Sequence, residues 1–402
     1  MSNLVPDGWS IQRQGDIANF SNGRAYKLTE WEKEGTPVIR LQNLTGSGKE
    51  FYYSNMQLPE RQYCHKGDLL YMWSATFGAK IWNGDKAIYH YHIWKITCDE
   101  VNLTKLFLYQ LLDFKTQEWL NKSNGMGILH VTKGNMEDLS LLLPPLPEQQ
   151  KIATILTSID EVIEKTQAQI NKLKDLKTGM MQELLTNGIG HTEFKDSPVG
   201  RIPAEWHCVK MNEIAKVTDG AHHTPTYTSS GIPFLRVTDL KNKSIFRGKI
   251  KYVSEDEHQQ LIKRCKPERN DILYSKNGTI GIPRLVDWDE EFSIFVSLAL
   301  IKIISKDVRP VYLSLFMDSP IVREQIRKRS KQGTVINLHL EEIREFDIPL
   351  PSLEEQAKIS STLQSIISKT NIVSEKLASY KNTKKALMQD LLTGKVRVKV
   401  DS

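Results

Sequence analysis

The sequence predicts an α+β protein: two similar globular heads in a pseudo-two-fold tandem repeat, joined by two long antiparallel coiled-coil helices. Three observations predict it. The chain repeats itself along its whole length. Each repeat ends in a long helical stretch with a heptad seam. Ahead of each stretch, short β-prone runs mix with one or two helical ones.

Self-similarity at a near-constant offset marks a repeat architecture. "VPDGWSIQRQGDIANFSNG" near the start answers "IPAEWHCVKMNEIAKVTDG" at 202–220, pairing Trp9 with Trp206, Ile17 with Ile214 and Gly23 with Gly220. "GTPVIRLQNL" (35–44) answers "GIPFLRVTDL" (231–240), and "KGDLLYMWSATFG" (66–78) answers "ERNDILYSKNGTIG" (268–281). "LPEQQKIATIL" (146–156) answers "LEEQAKISSTL" (353–363), and "MQELLT" (181–186) answers "MQDLLT" (388–393). The offset grows from 197 residues at Trp9 and Trp206 to 207 at Met181 and Met388. Insertions therefore fall inside the heads, and the tails align without gaps.

In the heads, "DLLYMW", "AIYHYHIWKIT", "DILYS" and "LALIKII" read as strands, being rich in β-branched and aromatic residues. "LTKLFLYQLLDFKTQEWL" and "RPVYLSLFMDSPIVREQIRKR" read as one or two helices each. In the tails, Glu148 to Leu185 contains no proline, and Gly179 is its one glycine. Leu156, Ile159, Ile163, Thr166, Ile170, Leu173, Lys177, Met180 and Leu184 step by three and four. Leu363, Ile366, Thr370, Val373, Leu377, Tyr380, Lys384, Leu387 and Leu391 repeat the seam 207 residues on. Pro147 and Pro351 stand ahead of the two helices, and Asn187-Gly188 and Gly394 close them. Each rod is about 57 Å long at 1.5 Å per residue. Alone, it would leave its apolar stripe in water, so the two rods should pack antiparallel with one head at each end. The resulting division is 1–146 first head, 147–187 central long helix, 188–198 linker, 199–352 second head, 353–394 C-terminal long helix and 395–402 tail.

Composition sets the outer limits. A chain of 402 residues with 40% hydrophobic and 25% charged content should bury real cores. A net charge of +6 permits nucleic-acid binding without demanding it. Four cysteines without a Cys-x-x-Cys pair argue against a metal site or a disulfide framework, and point to a reducing cytoplasm. The start lacks an apolar signal run, and no stretch is apolar for long enough to span a membrane.

A search for catalytic constellations is empty. "TGSGKE" (45–50) resembles a phosphate loop, but Glu50 follows Lys49 where a magnesium-binding Ser or Thr is required. His90, His92, His222 and His223 have no partners at metal spacing. No Asn-Pro-Pro-Tyr-type methylation motif or glycine-rich cofactor loop is present. What recurs instead is three small-polar or basic places in each head. The first is Arg40, Gln42 and Asn43, answered by Arg236 and Thr238. The second is a loop with Ser74, Thr76 and Lys80, answered by Ser275, Lys276, Asn277, Thr279 and the following Arg284. The third is His130 and Lys133, answered by Lys331, Gln332 and Asn337. Glycines allow close backbone approach there, and these side chains can donate to phosphates or base edges, so all are candidate DNA contacts.

The repeated heads, the helix-opening "LPEQQ" and "LPSLEEQ", and the helix-closing "MMQELLTNG" and "LMQDLLTGK" resemble the specificity (S) subunit of type I restriction–modification systems over the whole chain. The resemblance implies a non-catalytic DNA reader. Each head would be a target recognition domain for one half of a bipartite, asymmetric double-stranded site. The helices would set the spacing and dock two modification (methyltransferase) subunits. Restriction (translocase and endonuclease) subunits would join them. No cofactor is expected on this chain; S-adenosylmethionine, ATP and magnesium would belong to the partner subunits. Head one departs from the usual loop, with Trp73 and Ala75 where head two has small or charged residues. The alternatives are a stand-alone two-headed nuclease or methyltransferase, and a coiled-coil adaptor that binds only protein.

Overall fold

The structure is a computed structural model that describes residues 5–48, 50–122, 131–240, 250–329 and 337–400. They form two compact units, Met1–Gln167 with Glu375–Ser402, and Ala168–Ser374.

The first unit runs β1 (Ser10–Arg13), α1 (Gln14–Ile17), β2 (Ala18–Asn22), β3 (Thr36–Ile39), α2 (Leu41–Thr45), β4 (Tyr52–Ser54), β5 (Tyr63–Cys64), β6 (Leu69–Ser74), β7 (Thr76–Ile81), β8 (Ala87–Tyr89), β9 (Ile93–Cys98), α3 (Lys105–Lys122), α4 (Lys133–Glu137) and β10 (Ser140–Leu143). The long helix α5 (Leu146–Thr186) follows. One four-stranded sheet is ordered β2-β9-β6-β7 and the other β4-β3-β8-β5, while β1 pairs with β10. Among these pairs β3 and β8 alone are parallel.

The second unit repeats this plan. It runs β11 (Phe194–Ser197), β12 (Gly200–Pro203), β13 (His207–Lys210), α6 (Met211–Ile214), β14 (Ala215–Asp219), β15 (Ile232–Leu235), β16 (Lys251–Val253), α7 (Glu255–Ile262), β17 (Ile272–Ser275), β18 (Pro283–Leu285), β19 (Ser293–Ile294), β20 (Leu298–Ile303), α8 (Pro310–Met317), α9 (Pro320–Arg329), α10 (Leu340–Arg344) and β21 (Asp347–Leu350), then the second long helix α11 (Leu353–Leu392). Its sheets are β14-β20-β17-β18 and β16-β15-β19, again with one parallel pair, β15 and β19.

Two sequence expectations change in detail. "AIYHYHIWKIT" is two strands, because β8 joins β3 in one sheet and β9 joins β2 in the other, and the chain switches sheets at His90–His92. The expected loop after β6 is a hairpin in the first unit: Ala75, at φ 59°, turns the chain so that Ser74 pairs with Thr76. In the second unit the same place stays a loop, with Gly278 and Gly281 at positive φ. Pro147 lies within the first turn of α5, where a missing N–H leaves no helical bond unmade.

The ends of the long helices complete the head cores. Met181, Leu184 and Leu185 of α5 pack with Trp206, Met211, Tyr312 and Ile348, alongside Ile359 and Leu363 from the start of α11. Met388, Leu391 and Leu392 of α11 pack with Trp9, Phe107 and Leu141, alongside Ile152 and Leu156 from the start of α5. Within each unit the segments of the two long helices thus run antiparallel as a coiled coil, and each head core is closed by the helix that the other repeat supplies. Leu156, Ile170, Leu173, Leu184, Leu363, Val373, Leu377 and Leu391 are buried, and Ile159, Ile163, Met180, Ile366, Tyr380 and Leu387 are half-buried. Off the seam, Val162, Leu176 and Ile372 are 40%, 50% and 54% exposed.

Polar ties repeat with the fold. Glu148 Oε2 accepts from Trp9 Nε1 at 3.1 Å, and Glu355 Oε2 accepts from Trp206 Nε1 at 3.0 Å. Arg397 Nε and Nη2 close on Glu148 at 2.8 and 2.7 Å, whereas the backbone N–H of Ile189 donates to Glu355 at 2.8 Å with His191 Nε2 at 2.9 Å. Lys177 Nζ reaches Asp318 at 2.6 Å; its counterpart Lys384 reaches Asp113 at 3.1 Å and Asp160 at 2.8 Å. The Glu-Gln step at each helix start is therefore structural: the side chains of Gln149 and Gln356 accept the N–H groups of Thr104 and Arg309.

Candidate nucleic-acid interface

In each head the chain crosses between sheets where glycine lies against a carbonyl. A Cβ on Gly23 would stand 2.3 Å from the His90 oxygen, and one on Gly220 would stand 2.0 Å from the Ile294 oxygen. Only glycine lets β2 and β14 end so close to the crossover. That closeness gathers several chain segments at one place in each head.

In the second unit, the N–H of Val237 donates to Ser297 Oγ at 3.3 Å, and the N–H of Lys276 donates to the Ser297 carbonyl at 3.0 Å. Leu338 donates in turn to the Lys276 carbonyl at 2.8 Å, and Asn277 bridges to Asn337. The segments around Arg236, Ser275 and Asn337 are thus brought together. At their centre, buried Asp219 meets Lys276 Nζ at 3.3 Å, Arg264 Nη2 at 2.8 Å and His222 Nε2 at 3.0 Å. Burial alone would push the Asp219 carboxyl up, but hydrogen bonds from His222 and Arg264 and the Lys276 charge outweigh it and hold it below the usual range.

The first unit has the same backbone scheme. Trp73 donates to the His92 carbonyl at 3.2 Å, and Val131 donates to the Trp73 carbonyl at 3.3 Å. Its chemistry differs: Trp73 takes the place of Lys276, and Asn22, accepting from Trp94 Nε1 at 2.6 Å, takes that of Asp219. Trp73 stacks on Trp94 with centroids 5.6 Å apart, and lies 5.3 Å from both Tyr91 and His92. Burial, helped by His92 and Arg40, pulls His90 down to about 4, so its ring is neutral near pH 7.

The other candidates divide by what already holds them. The Asn43 side chain caps its own turn, accepting from the Arg40 N–H at 2.9 Å, and the backbone carbonyl of Gln42 accepts the Gly48 N–H at 3.2 Å. Arg236 is tied to Asp239, with Nε 3.3 Å from Oδ2, and Thr238 beside it is exposed. Ser275 is buried and accepts the Ile282 N–H at 2.8 Å. Lys276 is buried against Asp219, so its charge is matched within the head. Ser74 is buried and Thr76 half-buried at the hairpin turn, and Thr279 is exposed. Lys80 and Arg284 stand further along the second strand of each pair, opposite Leu70 and Leu273, and Lys133 pairs with Glu137 at 3.4 Å. His130, Lys331 and Gln332 lie outside the described residues. Sequence reading passed over Asp219, Arg264 and the rings around Arg40. Asp219 carried a signal, since it directly precedes the aligned Gly220.

Comparison with known proteins decides the class. The family model described as the type I restriction modification DNA specificity domain matches residues 6–175 and again 203–381. The chain belongs to this DNA specificity family. It is similar to the type I restriction enzyme MjaVIII specificity subunit of Methanocaldococcus jannaschii, 28% identical over 409 residues covering 98% of this chain and 94% of that one. It is also similar to the EcoBI specificity subunit of Escherichia coli, 26% identical over 373 residues covering 88% and 78%. The S subunit of a type I system from M. genitalium shares the fold at a TM-score of 0.58 and 14% identity, with 97% and 98% of the two chains covered. A chain solved in a study of type I system assembly and conformational transition matches at 0.57 and 17% identity, covering 98% and 100%. The chain is a DNA-specificity member of the type I restriction–modification class, and its relatives are named as specificity subunits. A stand-alone two-headed nuclease or methyltransferase has no support. Among the described residues no cluster of His, Cys, Asp and Glu could hold a metal ion, and no helix is long and apolar enough to cross a membrane.

Proposed function

We propose that each head of this DNA specificity protein reads one half of a bipartite, asymmetric site in double-stranded DNA. The paired helices set the gap between the halves and dock two modification subunits. These bind S-adenosylmethionine and methylate adenine, and restriction subunits bring ATP and magnesium for cleavage. The observation that supports this most is the one place in each head where the same segments converge with different side chains. Asp219, Lys276 and Arg264 occupy it in one head, and Asn22, Trp73 and His92 in the other. Two readers on one scaffold, tuned to different sequences, call for a constant backbone with variable chemistry.

Physically, lysine and arginine contacts to phosphates position a head, and a few base contacts specify. Two heads on one chain raise the effective concentration of the second half-site once the first is bound. Each mismatched base pair should cost about 1–3 kcal/mol. Adenine-methylation sequencing of cells with and without the gene tests the reading. Loss of one bipartite motif is expected, and an unchanged methylation pattern in cells that express the modification partners would overturn it.

A further inference from the structure

We propose that Arg40 reads a guanine in the major groove, and that a ladder of aromatic rings pre-positions its guanidinium for this. The inference rests on the proposed role of the heads in DNA reading, and names a base and a residue within it.

The ladder is built from three segments. Tyr26 stacks on Trp31 with centroids 4.6 Å apart and planes at 19°. Trp31 meets Tyr52 of β4, again at 4.6 Å. Arginines stand at both ends: Arg24 Cζ lies 4.5 Å from the Tyr26 centroid, and Arg40 Cζ lies 4.9 Å from that of Tyr52 and 5.9 Å from that of Trp31. The backbone beneath is fixed, because Glu32 bridges to Tyr53 and the Arg40 N–H donates to Asn43.

The two arginines are not equivalent. Arg24 Nη2 is held by Glu30 at 2.6 Å, so its charge is matched. Arg40 has no carboxylate partner among the described residues; its Cζ lies over two aromatic rings. Rings engage the flat face of a guanidinium and restrict its rotamers. The in-plane N–H fork is left to donate. Such a fork fits acceptors paired at one edge, which guanine O6 and N7 supply in the major groove.

A phosphate would also accept from the fork, but two observations favour a base. The neighbouring titratable ring, His90, is held neutral rather than adding to a cationic patch. Moreover, Arg236, at the matching position of the second head, is closed by Asp239, with Nε–Oδ2 at 3.3 Å and Nη2–Oδ1 at 3.4 Å. A phosphate grip common to both heads would stay open in both. A position that is open in one head and closed in the other behaves as a determinant of sequence.

The test uses the full methyltransferase complex and duplexes that vary one base pair at a time in the half-site assigned to the first head. The wild-type complex should prefer G·C at one position. Arg40→Ala should lose about 10–100-fold of that preference and leave the other half-site as selective as before. Arg40→Lys keeps the charge but not the fork, and should lose the preference while the salt dependence of binding stays unchanged. With the wild-type protein, 7-deazaguanine at that position should weaken binding in the same way, which needs no protein variant to fold. Equal weakening on every duplex with a shallower salt slope would make Arg40 a phosphate contact and overturn the inference. Unaltered selectivity in both variants would overturn it too. A wild-type complex without any sequence preference would instead overturn the reading of the heads as DNA readers.

Discussion

Lys384 offers the sharpest test of how the helix ends are tied to the heads. Its ammonium lies 3.1 Å from Asp113 and 2.8 Å from Asp160, and its side chain is 13% exposed. Burial alone would pull the ammonium down, but the two carboxylates outweigh it and raise Lys384 above its ordinary value. Lys384→Met removes the cation and leaves two carboxylates, 30% and 25% exposed, facing each other. Breaking a fully buried pair costs about 3–5 kcal/mol, and partial wetting of these carboxylates puts the loss at the lower end. That is a large part of the roughly 5–15 kcal/mol that holds a domain folded. Because the folded value is raised, the contribution is complete below the unfolded value of about 10.4, and is lost as pH rises through the folded one. Urea unfolding at pH 7 should therefore show the full loss, and the gap to wild type should close only in more alkaline solution. Adding Asp113→Asn and Asp160→Asn should restore most of the stability. A variant within about 0.5 kcal/mol of wild type at pH 7 would show that the ammonium does not hold the helix end, as would a loss that neutralising the two aspartates does not relieve.

Leu185→Ala and Leu392→Ala, at matching helix ends, should each lower unfolding stability by about 2–5 kcal/mol, while the half-exposed Leu176→Ala should stay within about 0.5 kcal/mol; denaturant melts compare the three. Glu148 is held below the usual carboxylate range because hydrogen bonds from Arg397 and Trp9 outweigh the upward push of burial. A lowered carboxylate stabilises above its unfolded value of about 4.3 and loses that contribution as pH falls through the folded one. Glu148→Gln should therefore be less stable at pH 7, and its stability should fall less steeply in acid, as thermal melts from pH 2 to 7 would show. Gly220→Ala pushes a methyl group against the Ile294 carbonyl; it should destabilise by about 1–3 kcal/mol or more, which chemical unfolding measures.

The repeat, the two rods and the absence of a nucleotide loop could be read from residues, since they depend on periodicity and spacing. Lys177 and Lys384 stood out as polar interruptions at matching seam positions, but their partners Asp318 and Asp113 lie far away in the chain. The repeated Glu-Gln at 148–149 and 355–356 was visible, yet nothing local says that a buried indole and backbone N–H groups wait for it. The hairpin at Ala75 is not legible in the sequence, because a left-handed alanine has no sequence signature. The site was legible as three recurring places. Which of their charges remain open depended on the fold: Lys276 and Arg236 are matched by carboxylates that only tertiary packing or local geometry brings close, and Arg40 meets rings from β4 and the loop after β2.

Two separable heads are proposed to read two halves of one DNA site. Replacing residues 1–146 with the corresponding head of another specificity protein, in cells that express the modification partners, tests it most directly by methylome sequencing. A new motif is expected in which one half-site has changed while the other half keeps its sequence. A motif left intact after the exchange, or one in which both halves change, would contradict it.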